Sequence, residues 1–90
     1  MSITVHVHWE SGQPCSGIQV TVRLVLGTYV GGTVTDSNGN AVIPRPPGRG
    51  VLLCDGEDVY TGLLAPRMDV TIRESRLVTY EVAIPAQPAL

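Results

Sequence analysis

TVTDSNGNAVIP, residues 33–44, decides how this chain is read. Two β-branched, apolar segments flank the polar centre DSNGN. Asn-Gly supplies the positive φ that tight β-turns demand. Asp36 is placed to accept backbone N–H bonds where the turn starts. The same centre carries Asp36, Asn38 and Asn40 at alternating positions, as the opening of a calcium loop does. Such a loop needs a bidentate carboxylate at its twelfth position, and that position is Pro47. The stretch therefore reads as a reverse turn, with residues 41–44 returning along residues 31–35.

Working outward, the dominant period is two. ITVHVHW (3–9) puts Ile3, Val5, Val7 and Trp9 on one face and Thr4, His6 and His8 on the other. IQVTVRLVL (18–26) alternates again, with Ile18, Val20, Val22, Leu24 and Leu26 on its apolar side. SGQPCSG (11–17) between them is a turn cluster. Downstream, Pro44, Pro46 and Pro47 stop regular pairing. GVLLC (50–54), VYTGLL (59–64), RMDVTIR (67–73) and LVTYEVAI (77–84) are further strand segments, with DGED (55–58) a second tight turn and ESR (74–76) a third. Only residues 57–65 carry a trace of helical period. Short strands separated by turns every eight to twelve residues predict an all-β, antiparallel Greek-key sandwich of about seven strands. Residues 1–84 are expected to form this one domain, and the Pro/Ala-rich residues 85–90 a linker or disordered tail.

Composition narrows the function classes. Ninety residues with formal net charge −2 leave no basic footprint for nucleic acid. All six cations are arginine, so lysine chemistry is excluded, including Schiff bases and lysine–asparagine isopeptide bonds. With no Phe and one Trp, the core has to be aliphatic. No apolar run approaches the ~18 residues of a membrane span, and the N-terminus lacks the basic start and long apolar stretch of a signal peptide. A cytoplasmic protein is the default expectation, with a fragment of an exported protein as the alternative. A Cys15–Cys54 bridge would close a loop of about 40 residues, worth up to ~4 kcal/mol. In a reducing compartment two free thiols are expected instead.

Few residues suggest chemistry. His6 and His8, two apart on a strand, share one face, as a metal pair requires. Cys54 or Asp55 would have to supply a further ligand; the plainer reading is a solvated polar face. Arg45 and Arg49 lie in the proline loop and suit carboxylate partners bidentately. Asp55, Glu57 and Asp58 make an acidic group in the second tight turn. These five are the candidate partner-binding residues, presented by loops 27–32, 44–50 and 55–58. Neither cysteine sits in a redox spacing, no Gly-x-Ser-x-Gly elbow is present, and no glycine-rich segment leads into a helix that would bind phosphate. No cofactor is expected.

GQPCSGIQVTVRL (12–24) followed by GTVTDSNGNAVIP (32–44) resembles the prealbumin-like, or transthyretin-like, sandwich superfamily. The resemblance rests on Gly12, Pro14, Gly17, Ile18 and Val20, then Thr35, Asp36 and Gly39. Its relatives include carboxypeptidase-regulatory-like domains and the repeats of bacterial surface adhesins. It implies the sandwich fold, and the scarcity of recognisable chemistry makes a non-catalytic binding or structural module the expectation. One branch, the 5-hydroxyisourate hydrolases, begins in a way similar to TVHVHWESGQPCSG, which places His6 or His8 near that family's catalytic histidine. The family's second histidine and its terminal Tyr-Arg-Gly-Ser have no counterpart, since no His follows His8 and the chain ends QPAL. The expected function is thus a module that contacts a protein partner, or self-associates, through loops or edge strands. The first and last strands are the expected edges. A hydroxyisourate-type hydrolase or a metal domain built on His6 and His8 are the alternatives.

Overall fold

Alternation in the sequence becomes inside and outside in the structure. The computed structural model describes residues 1–74 and 78–87. Its strands are β1 (Ile3–Trp9), β2 (Gln19–Leu24), β3 (Tyr29–Val34), β4 (Asn40–Ile43), β5 (Gly48–Cys54), β6 (Glu57–Leu64), β7 (Arg67–Glu74) and β8 (Val78–Ala83). They form two four-stranded sheets, ordered β4-β1-β7-β8 and β3-β2-β5-β6. Ile3, Val5 and Val7 of β1 and Met68, Val70 and Ile72 of β7 are buried. They face Val20 and Val22 of β2 and Leu52 and Cys54 of β5. Packed sheets stand roughly 10 Å apart, and aliphatic side chains fill that gap here without any Phe. The expected helical trace at 57–65 is strand: β6 pairs with β5 from Glu57 to Leu64. Among the described residues no helix is long and apolar enough to cross a membrane.

Four expectations change. There are eight strands rather than about seven. The sandwich is not wholly antiparallel, because β1 and β7 run parallel, with Val5 opposite Met68 and Val7 opposite Val70. That pair begins with the Thr4 N–H on the Pro66 carbonyl (2.8 Å) and ends with the Glu10 N–H on the Ile72 carbonyl (3.1 Å). The first strand is consequently no edge, since β4 takes its other side. The last strand, β8, is an edge as expected, together with β4, β3 and β6. Short β4 and the irregular registers of β3 and β6 blunt three of these edges. The strand expected over 18–26 also ends early. Gly27 (φ +88) closes a tight turn onto Leu24, so Leu26 leaves the core face and, like Val25, stands exposed.

The opening stretch does make a turn, but its strands part. The Gly39 N–H donates to the Asp36 carbonyl and the Asp36 N–H to the Asn40 carbonyl, both at 2.9 Å. A two-residue hairpin turn of type I′ needs positive φ at both central residues. Here Gly39 (φ +78) has it and Asn38 does not. The loop is instead the three-residue kind, Ser37 to Gly39, with Gly39 in the left-handed position, and beyond it the strands part across the sandwich: β3 pairs with β2 in one sheet and β4 with β1 in the other. One Asp36 oxygen, Oδ1, accepts the N–H groups of Asn38 (2.9 Å) and Asn40 (3.0 Å). The true two-residue hairpin is Asp55-Gly56, where both φ values are positive (+50 and +83) and β5 turns into β6.

Gly39 is fixed twice, by its positive φ and by the Val7 carbonyl, into which a Cβ would drive. Gly27 has a similar φ and open space around it. Gly39→Ala should lower unfolding free energy by about 3 kcal/mol or more, against about 1 kcal/mol for Gly27→Ala. Urea denaturation of both variants checks this; equal losses would mean that the crossing is not tightly packed.

Candidate functional site

The topology sorts the chemistry-bearing residues into two ends and one face. β1, β5 and β7 start at the end where β2, β4, β6 and β8 finish. This end carries Arg45, Arg49 and Arg67, all exposed. Pro44 bends the chain so tightly that the Arg45 N–H reaches the Ile43 carbonyl at 2.7 Å, a three-residue turn. Arg67 opens β7 directly after Pro66. Gln87 clasps its backbone there, accepting the Arg67 N–H at 3.1 Å and donating to its carbonyl at 3.3 Å. The described part of the 85–90 tail is therefore docked on the domain; residues 88–90 lie outside the described residues. Among those described, no carboxylate lies within 4 Å of Arg45, Arg49 or Arg67.

Apolar side chains stand among these arginines. Leu26 is 94% exposed and Leu63 64%, and Ile84 and Val25 are exposed as well. Leu63, Ala65, Pro66, Ile84 and Pro47 line an apolar cleft of about 490 Å³. Beside it, Arg45, Arg49, Pro46 and Leu24 line a smaller one of about 180 Å³. Of the three loops expected to meet partners, 44–50 lies here, although its residues 48–50, Arg49 included, already belong to β5; so does the start of 27–32, whose residues 29–32 belong to β3.

The third loop, 55–58, lies at the opposite end, so the five expected partner-binding residues do not form one site. Asp55 Oδ1 accepts the Gln19 N–H at 2.9 Å and thereby ties the β5–β6 turn to β2. Glu57 and Asp58 belong to β6 rather than to a loop. Asp58 pairs with Arg23 at 3.1 Å, a contact between partly exposed groups that contributes little to stability. Glu10 and Glu74 lie at the same end. Arg73 bonds Glu10 at 3.3 Å and Glu81 at 2.7 Å.

His6 and His8 project from the outer face of the β4-β1-β7-β8 sheet, half-buried, with ring centroids 5.4 Å apart and planes 28° from parallel. His6 Nδ1 bonds Asn40 Oδ1 at 2.9 Å. His8 Nδ1 donates to the Trp9 carbonyl at 2.9 Å, which leaves Nε2 to accept the Thr71 hydroxyl at 3.2 Å. Both nitrogens of His8 are thus engaged. Register places Asp69 opposite His6, and Arg67 opposite Thr4, on the same face. Among the described residues no group of three His, Cys, Asp or Glu side chains is placed to hold a metal ion. Neither histidine lines the clefts at the arginine end.

Cys15 and Cys54 are free thiols, both buried. Burial, reinforced by the nearby Asp55 carboxylate, pushes the Cys54 thiol up to about 12 and the Cys15 thiol above its ordinary value. Neither is a nucleophile at neutral pH. Arg67 escaped the sequence reading because alternation in 67–73 made it one polar residue among four; the adjacent Pro66, marking a strand start at an end of the sandwich, was the available signal.

Compared with protein-family models, with characterised proteins and with solved structures, the chain matches none.

The thiols make stability fall at high pH. A thiol whose folded pKa is raised titrates first in the unfolded chain, so stability is full below about 9 and declines as pH rises toward about 12. Cys54→Ala should flatten this alkaline decline while costing about 1 kcal/mol at pH 7. Denaturation midpoints from pH 7 to 11 check it; an unchanged slope would remove Cys54 as the cause.

Proposed function

We propose that this chain is a non-catalytic, prealbumin-like sandwich with Greek-key connections, working as a protein-binding module in an assembly. Contact is made by the end that carries Arg45, Arg49 and Arg67. One observation carries this reading: three arginines without an ion-pair partner among the described residues share one end of the sandwich with exposed Leu26, Leu63 and Ile84. Protein interfaces are built in that way, with an apolar centre and arginine enriched relative to other charges. An apolar side chain left this exposed gains roughly 25 cal/mol for each Å² a partner covers. The guanidinium groups supply planar, bidentate contacts that select for carboxylates. The histidine face offers less, because it is open and His8 is fully hydrogen-bonded within the sheet.

A photo-cross-linking amino acid tests this in cells that express the protein. Placed at position 49 or 63 it should trap a protein. Placed at Glu81, midway along β8 on the outer face of the other sheet, it should trap little. Equal trapping at all three positions, or none, would overturn the reading. Purified protein should also leave the spontaneous decay of 5-hydroxyisourate unchanged; acceleration abolished by His6→Ala would establish the hydrolase instead.

A further inference from the structure

We infer that the partner at the arginine end is the opposite end of a second copy of this chain, so that the molecules join head to tail. This rests on the binding reading above and names its partner. Charge complementarity between the two ends carries it. At one end stand Arg45, Arg49 and Arg67 without a carboxylate neighbour. At the other stand Asp36, Asp55, Glu57 and Glu74, and none of these has a cation within 4 Å among the described residues. A strand of seven residues, such as β1 or β5, spans roughly 23 Å at 3.3 Å per residue. That exceeds the ~8–10 Å over which exposed charges feel one another at physiological salt. The two sets consequently do not neutralise each other within one molecule, and a second copy is what brings them together.

The geometry also disfavours the simpler dimer. A two-fold contact between arginine ends would set three cations against three, with no carboxylate between them. The acidic end presents usable groups. Asp36 and Asp55 each bind backbone N–H groups through Oδ1 and keep Oδ2 for a guanidinium. Glu57 and Glu74 are exposed and make no hydrogen bond among the described residues. Val34 and Val78, both about half exposed at this end, supply apolar surface to meet Leu26 and Leu63. Each molecule uses two different surfaces, so the contact is heterologous and propagates into a ring or a filament.

The test uses charge reversal at each end, at positions without a structural role. R45E/R49E makes both ends acidic, and E57R/E74R cancels the net charge of the four carboxylates at the acidic end. Light scattering on the purified wild-type chain should show concentration-dependent assembly that weakens ~10-fold or more between 50 and 500 mM salt. Each variant alone should be monomeric, and an equimolar mixture of the two should assemble again. The recovery also shows that both variants are folded. Assembly that survives R45E/R49E would point to pairing through β8 and overturn the inference, as would a mixture that stays monomeric. A wild-type chain that is monomeric at low salt, while position 49 cross-links to a different protein, overturns self-association and leaves the binding reading intact. No cross-link and no assembly overturns both.

Discussion

Everything in this sandwich depends on the Thr35 hydroxyl. Thr35 is a buried polar residue at the point where the chain crosses from one sheet to the other. Its Oγ1 donates to the Cys15 carbonyl at 2.7 Å and accepts the Ile18 N–H at 3.0 Å. Its own N–H donates to the Ile18 carbonyl and its carbonyl accepts the Gly17 N–H. Four backbone groups of the 15–18 loop are satisfied by one residue, and the bond to the Cys15 carbonyl is buried. Leaving the buried Cys15 carbonyl without its partner would cost about 1–3 kcal/mol, which favours this path for the crossing. The Gly39 carbonyl then accepts the Val7 N–H at 2.7 Å, which sets β4 beside β1 and centres the first sheet.

How much of this the residues reveal beforehand depends on the range of the interaction. Alternation is local, and β1 was legible to its last residue. Turn chemistry is local too, so Asp55-Gly56 was readable as a tight turn. Sheet membership is not local. TVTDSNGNAVIP carries the turn, while the backbone groups that pull β3 toward β2 and β4 toward β1 lie elsewhere in the chain. The parallel β1–β7 pair was invisible for the same reason: 60 or so residues separate its partners, and nothing in ITVHVHW records its neighbour's direction. Leu26 misled because it continues the alternation of 18–26, whereas Gly27 ends the strand two residues earlier.

The candidate site was half legible. Arg45 and Arg49 stood out because they flank Pro46 and Pro47, although Arg49 itself pairs with Leu63 in the β5–β6 ladder. Asp55, Glu57 and Asp58 stood out equally, yet Asp55 holds Gln19 and Asp58 holds Arg23. In sequence these look like one set of loop charges. In space they are opposite ends of the molecule, and only the direction of each strand decides which. His6 and His8 were correctly placed on one outer face, but their hydrogen bonds to Asn40, Trp9 and Thr71 depend on register, which alternation alone does not specify.

The central place of β1 also gives the fold an order in time. As the chain leaves the ribosome, β1 emerges first and β4 can close on one side of it once Ile43 is out. The other side stays open through the synthesis of β5 and β6, until Arg67–Glu74 arrives. For that interval the nascent chain exposes the backbone of a strongly apolar strand whose proper mate does not yet exist. Long-range pairing of this kind is slow to form. The sheet that looks most settled in the finished molecule is the last to be completed, and its middle strand is the one that waits.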